Sequence, residues 1–274
     1  MPKHLSEEAI AAYERDGYYF PLRAVSAADA HAIRADVEAA EHHFAAQGER
    51  MRHRPHLLVT ALDRLIRNQT VLDAVEDLIG PNILCWTSLF FTKDAHDPAF
   101  VSWHQDSTYW GLSTAEVVTA WIALSPSTVE SGAMRFAPGT HKLDQIPHRD
   151  TFDEHNMLTR GQIVAHEVDE EAAVDVVLQP GEASLHHVRL IHGSGPNDSD
   201  DRRIGFAVRY IPTHVRNVVG RDYAALVRGA DDYGYFDAER RPVRDLEPEA
   251  LAAYEAANAS HNAVLYAGAA QMRG

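Results

Sequence analysis

Disulfides have no part in this fold, because the chain of 274 residues carries one cysteine, Cys85. A lone thiol suits a reducing compartment, and its place in the apolar run NILCWTSLFF reads as a small buried hydrophobe. Also missing is any apolar run long enough to span a bilayer. The first twenty residues, MPKHLSEEAIAAYERDGYYF, form an acidic amphipathic segment rather than a charged-then-apolar signal. A soluble, unprocessed, cytoplasmic protein is expected. Positive charge is scarce: 25 Lys and Arg against 40 Asp and Glu give a formal charge of −15. Nucleic acids and anionic membranes are held by pooled Lys and Arg, so neither is expected as a partner. No linker, internal repeat or low-complexity tract is evident, and the length suits one domain, 1–274.

What is present falls into two rhythms. From about 5 to 80 the apolar spacing is helical. LSEEAIAAYERDG opens on Ser6 as an N-cap and closes on Gly17, SAADAHAIRADVEAAEHHF repeats that plan, and NQTVLDAVEDLIGP stops at Gly80 and Pro81. From about 82 to 213 the period shifts toward two, in short β-branched and aromatic runs between turn signals. The pattern predicts a mainly β protein with flanking helices, its core a double-stranded β-helix (a cupin-like jelly roll) or small barrel with a mouth suited to a metal and a small ligand. The remainder, about 214–274, is mixed. It reads as a lid or dimer-interface segment followed by a helix near Glu247 to Asn258, so that either a monomer or a homodimer is compatible with it.

Seventeen histidines are a high count, but position says more than number. In FVSWHQD, strand alternation places His104 and Asp106 on one face and Trp103 and Gln105 on the other. A carboxylate facing a β-core is costly unless paired or bound to a cation. Taken alone the pair also suits a surface position or a simple hydrogen bond. Far along the chain, His192 ends a strand before a Gly-rich turn, where a hairpin can return it to the same mouth. Two His and one carboxylate make the facial triad of non-haem iron(II), which leaves three adjacent positions open. Arg203 follows eleven residues later and can clamp a carboxylate with its planar fork. In the strand it starts, Arg203, Gly205, Ala207 and Arg209 share one face, and Ile204, Phe206, Val208 and Tyr210 the other. The first face reads as a pocket wall with a cation at each end; Arg209 paired with a structural carboxylate is the competing reading.

With these residues in view, the chain resembles the phytanoyl-CoA dioxygenase family of iron(II)- and 2-oxoglutarate-dependent oxygenases. The likeness runs from LSEEAIAAYERDGYYFPL through SWHQD, AWIALS, ESGAMRFAPGTHK and HGSGPNDSDDRR to RYIP, about Leu5 to Pro212. It implies His104, Asp106 and His192 as iron ligands and Arg203 as the partner of the distal carboxylate of 2-oxoglutarate. It further implies Ser194 and Trp121 at the co-substrate, with Lys93 and Gln105 as looser matches. A regular strand would turn Gln105 away from the metal. The implied chemistry uses dioxygen, decarboxylates 2-oxoglutarate to succinate and carbon dioxide, and hydroxylates a C–H bond. Relatives that transfer chlorine lack the carboxylate ligand, so Asp106 favours hydroxylation.

Tyr109 and Trp110 follow the metal pair closely and are candidates for the substrate border, as is Arg209. The basic cluster RMRHRPH, Arg50 to His56, reads as a solvated loop or as a contact for an anionic substrate. His186, His187 and His141 read as structural, with His187 or a backbone carbonyl available to orient a ligand imidazole. The substrate is expected to be a small, polar or anionic molecule. A non-redox cupin-type metal enzyme, a fold retained only for binding, and an acyl-CoA substrate are the alternatives. The Arg203 clamp argues against the first, the complete triad against the second and the small basic surface against the third.

Overall fold

The helices begin and end where their caps dictate. In a computed structural model, which describes residues 2–46, 51–158 and 160–265 (backbone alone at 108, 109 and 265), α1 spans Glu7–Asp16 and α2 Ala27–Ala45. Ser6 Oγ accepts from the Ala9 N–H at 3.1 Å and Ser26 Oγ from that of Asp29 at 3.1 Å, each satisfying a donor that the first helical turn leaves unpaired. Gly17 closes α1 in the left-handed region at φ 88°. A short α3 (Thr60–Leu65) precedes α4 (Gln69–Ile79), which Asn68 caps, and α5 (Pro248–Leu265) comes last.

The strands are β1 (Tyr18–Arg23), β2 (Ile83–Lys93), β3 (Val101–His104), β4 (Val118–Ala123), β5 (Met134–Phe136), β6 (His148–Arg149) and β7 (Ile163–Val164). They continue with β8 (Val174–Val176), β9 (Glu182–His187), β10 (His192–Ser194), β11 (Arg203–Pro212), β12 (Tyr223–Arg228) and β13 (Asp237–Ala238). Seven form one sheet in the order β1-β9-β4-β11-β2-β12-β13, and four form a second in the order β3-β10-β5-β8. All pairs but β12 with β13 are antiparallel, as jelly-roll connections require.

Each long strand of the large sheet has two differently occupied faces. Ile204, Phe206, Val208 and Tyr210 of β11, with Val118, Ala120 and Ile122 of β4, pack under the helices against Leu62, Leu72 and Val75. Burying each such Leu, Ile or Phe is worth about 1.5–3 kcal/mol. The opposite face, with Trp121 and Ala207, meets Met134, Phe136 and Val176 of the small sheet. Cys85 is buried on the helix side, in the role expected of it.

Two elements depart from the sequence reading. β1 lies inside the flank read as helical and pairs with β9, because YYFPLR offers β-favouring aromatics between two helix signals. β12 belongs to the segment read as a lid or interface, yet it pairs with β2 through Ala225 opposite Cys85. A buried polar cluster anchors that segment. Arg54, wholly buried, donates to Asp222 at 2.9 Å and to Glu239, and His56 Nε2 meets Glu239 at 2.8 Å. The basic cluster is therefore not a solvated loop: Arg54 and His56 are interior, Arg52 and His53 line a chamber described below, and Arg50 lies outside the described residues.

Candidate metal and co-substrate site

The register of the small sheet brings the two distant histidines together. β10 pairs with β3 so that His192 stands opposite His104, their ring centroids 4.2 Å apart. Asp106 arrives differently from the expected strand alternation. β3 ends at His104, and Asp106 opens a 3-10 turn over Asp106–Tyr109. The turn still directs its carboxylate at the imidazoles, with Oδ1 3.4 Å from His104 Nε2. Donor atoms of His104, Asp106 and His192 all lie within 4.8 Å of one another.

Backbone carbonyls, not His187, orient the rings. His104 Nδ1 lies 2.9 Å from the Ser102 carbonyl and His192 Nδ1 2.9 Å from that of Leu190, so in both the Nδ1–H donates and Nε2 carries the lone pair. His187 Nδ1 instead accepts from the Arg189 N–H. His104 Nε2 is buried with no hydrogen-bond partner, an arrangement that suits a metal. Burial and the neighbouring His104 lower the His192 imidazole to about 4, keeping it neutral as a ligand must be. Burial alone would raise the Asp106 carboxyl, but the Arg209 guanidinium, with the imidazoles of His104 and His192, holds it well below the usual carboxylate range. Two imidazole nitrogens and one carboxylate on a single side fit the donor set that non-haem iron(II) takes.

Two chambers meet at this triad. The first, about 400 Å³ counted to its mouth, is lined by His104, Asp106, His192, Trp121, Ser194, Arg203 and Arg209 among others. β11 alternation holds here: Arg203, Ala207 and Arg209 face the chamber, and Gly205 on the same face leaves room for the Trp121 indole. Arg203 is buried, donates to the Gly132 carbonyl, stacks 5.5 Å from the Trp121 ring, and has an unpartnered Nε. Burial brings its guanidinium down to about 10. Lys93, its cross-strand neighbour, donates to Ser194 Oγ at 2.8 Å and to the Gly195 carbonyl. Burial and Arg203 push its ammonium down to about 6.

Other expected residues are displaced. Gln105 lines neither chamber; its extended backbone turns the buried side chain away from the triad, where its Oε1 accepts from the Ile146 N–H and its Nε2 donates to the Arg189 carbonyl. Arg209 lies 3.5 Å from Asp106 and 4.1 Å over the Trp110 ring, so its carboxylate partner is the triad's own. The side chain of Tyr109 lies outside the described residues. His186 and Thr119, paired across β9 and β4, also line the first chamber. Alternation about Trp121 carried the signal for Thr119.

The second chamber, about 630 Å³ to its mouth, shares Phe91, His104, Asp106 and Arg209 with the first and adds Arg52, His53, Trp110, Arg160 and His261. His261 comes from α5, and no local motif could have connected it to the triad. Among the described residues no helix is long and apolar enough to cross a membrane.

Residues 2–205 match the family described as phytanoyl-CoA dioxygenase (PhyH). A probable alpha-ketoglutarate-dependent hypophosphite dioxygenase of Stutzerimonas stutzeri is 31% identical over 190 residues, 63% of this chain and 62% of that protein. The chain spans a smaller share, 40% to 55%, of a probable phytanoyl-CoA dioxygenase of Caenorhabditis elegans and the peroxisomal phytanoyl-CoA dioxygenases of human and cattle. Among solved structures, the non-heme monooxygenase ThoJ in its apo form is 33% identical, with a TM-score of 0.86 over 94% of this chain and 98% of its own. CytC3 with Fe(II) and alpha-ketoglutarate is 25% identical, with a TM-score of 0.65 over 90% of this chain and 97% of its own.

Proposed function

The chain belongs to the phytanoyl-CoA dioxygenase family, and on that premise we propose that it is an iron(II)- and 2-oxoglutarate-dependent dioxygenase hydroxylating a small polar or anionic metabolite. The observation that carries the reading is the meeting of two chambers at one triad, the first walled by a buried arginine and the second left for substrate. His104, Asp106 and His192 would hold the metal from one side. Arg203 would fix the distal carboxylate of 2-oxoglutarate with its fork, while Trp121 sets the width of the chamber and Ser194 offers a hydroxyl at its wall.

When bound, iron(II) with 2-oxoglutarate and dioxygen supplies the oxidising power: 2-oxoglutarate loses carbon dioxide to become succinate, one oxygen atom entering succinate and the other the substrate. The protein's part is orientation and exclusion of water. Arg209 offsets the charge of Asp106 at the same carboxylate oxygen that faces His104, and Trp110 backs that guanidinium. The anionic character of the substrate is supported by the arginines of the second chamber and by the hypophosphite named for the Stutzerimonas relative. The reading is tested by succinate formation in wild type and His192→Ala with iron(II), 2-oxoglutarate and a panel of small anions. Succinate that rises with one anion in wild type alone supports it; turnover unchanged in His192→Ala removes it.

A further inference from the structure

Arg203 is placed by the backbone around it more than by its own bonds. Its guanidinium donates to the Gly132 carbonyl, stacks on Trp121 and leaves Nε unpartnered. A planar fork serves a carboxylate only when it is held within about 0.5 Å of the productive position. That backbone converges on Asn197, in the segment 195–202 between β10 and β11. Asn197 is wholly buried and lines neither chamber. Its Nδ2 donates to three carbonyls, of Lys93 at 3.2 Å, Asp94 at 2.8 Å and Asp201 at 2.9 Å. Its Oδ1 accepts from the Ser199 N–H at 3.0 Å and from Ser199 Oγ at 2.7 Å. Carbonyls on one side and donors on the other fix which way the amide lies. One side chain thus joins the last residue of β2 to the entry of β11, beside the rung where Lys93 stands opposite Arg203.

The same segment reaches back to the metal strand. Ser194, which follows His192 on β10 and precedes Asn197 by three residues, accepts from Lys93 Nζ at 2.8 Å. Gly132, whose carbonyl receives Arg203, lies against the segment: a methyl group there would overlap the carbonyls of Gly195 and Pro196. The Asp198 N–H donates to the Glu130 carbonyl at 2.9 Å, and that of Asn197 to the Asp97 carbonyl at 3.0 Å. These contacts close a ring through Ser194, Lys93, Arg203 and Gly132, with Asn197 tying it. From outside, α2 holds the segment through Arg34 on Asp201 and Glu41 on Arg202. Solvent weakens those partly exposed pairs, so the buried amide carries the larger share.

Resting on the oxygenase reading above, we propose that Asn197 is a positioning residue for 2-oxoglutarate. It acts by fixing the Arg203 fork relative to the His192 imidazole, from a place outside both chambers. Asn197→Asp keeps the acceptor for Ser199, removes the N–H donors and turns an oxygen toward the carbonyls of Lys93, Asp94 and Asp201. Asn197→Leu removes the donors without adding charge.

Anaerobic titration of the full chain measures iron(II) affinity by calorimetry and 2-oxoglutarate affinity by the visible band of the chelate. The samples are wild type, Asn197→Asp, Asn197→Leu, Ser199→Ala, Arg203→Ala and the double variant of Asn197→Leu with Arg203→Ala. Both Asn197 variants should weaken 2-oxoglutarate by about tenfold, the effect of a fork displaced by a fraction of an ångström, and leave iron(II) affinity unchanged. The double variant should bind 2-oxoglutarate no worse than Arg203→Ala alone, because Asn197 acts through that guanidinium; a merely structural role would add its own loss. Ser199→Ala withdraws only the hydroxyl and should weaken 2-oxoglutarate by about threefold, within the worth of one hydrogen bond. Unchanged 2-oxoglutarate affinity in a folded Asn197 variant, an equal loss of iron(II) affinity, or additive losses in the double variant overturns the proposal. Where neither Asn197 variant folds, Ser199→Ala decides, and wild-type affinity there overturns it. Wild type that binds iron(II) without the band removes the oxygenase reading itself, and the proposal with it.

Discussion

Gly205→Ala tests how closely the first chamber is built. A methyl group at Gly205 would lie within the Trp121 indole, whose Cη2 is 2.7 Å away and whose Cζ2 and Cε2 are nearer still. Carbon atoms rest at about 3.5–4.0 Å, so the ring would have to retreat by roughly 1 Å or more. It has little room: Trp121 is 2% exposed, shares a cluster with Leu89, Met134 and Ala207, and has the Arg203 guanidinium 5.5 Å from its ring. Overpacking of this kind costs about 1–3 kcal/mol, and a rigid indole belongs in the upper half of that range. Urea denaturation should therefore show a loss of about 2–3 kcal/mol, and the displaced ring should weaken 2-oxoglutarate binding by about tenfold. Gly205→Ala combined with Trp121→Leu should recover much of the stability, because the smaller side chain vacates the overlap. A Gly205→Ala protein with the wild-type denaturation midpoint and 2-oxoglutarate affinity would refute the reasoning.

Other consequences are equally concrete. Lys93 is brought down to about 6 from 10.5, so between those values the unfolded chain binds a proton that the folded apoprotein does not. Apoprotein stability should rise with pH across that window, and Lys93→Met should flatten the rise in melting curves. Asp106→Ala strands the buried Arg209 and should destabilise the apoprotein by about 3 kcal/mol, with Arg209→Met restoring most of the loss in denaturant titrations. Arg54→Met leaves Asp222 and Glu239 short of their shared cation and should cost about 3–5 kcal/mol by the same measurement. Unchanged stability in either single variant would show that its ion pair is not formed in solution.

The features that local chemistry specifies were legible in the sequence. Ser6, Gly17 and Ser26 mark helix ends by capping, and the alternation of β11 separates the apolar set Ile204 to Tyr210 from the wall carrying Arg203 and Arg209. The grouping of His104, Asp106 and His192 was legible through motif order, although by the wrong local geometry. A strand was expected through Asp106, and a 3-10 turn delivers its carboxylate instead. Arg209 was ambiguous because strand alternation gives a face and not a partner; the partner lies on a turn about a hundred residues earlier in the chain. β12, His261 and the Arg54 cluster were hidden for the same reason. Their meaning arises from contacts across more than a hundred residues, such as Arg54 with Asp222, and no periodicity encodes such a pairing.

The central claim is that the His104, Asp106 and His192 triad and Arg203 serve one iron and one 2-oxoglutarate. Anaerobic titration of the apoprotein with iron(II) and then 2-oxoglutarate, in wild type and Arg203→Ala, reads it directly. The account predicts the visible band of the chelate in wild type and a band that is weak, or needs far more 2-oxoglutarate, in the variant. Iron bound to wild type with no band, or an identical titration in Arg203→Ala, would contradict it.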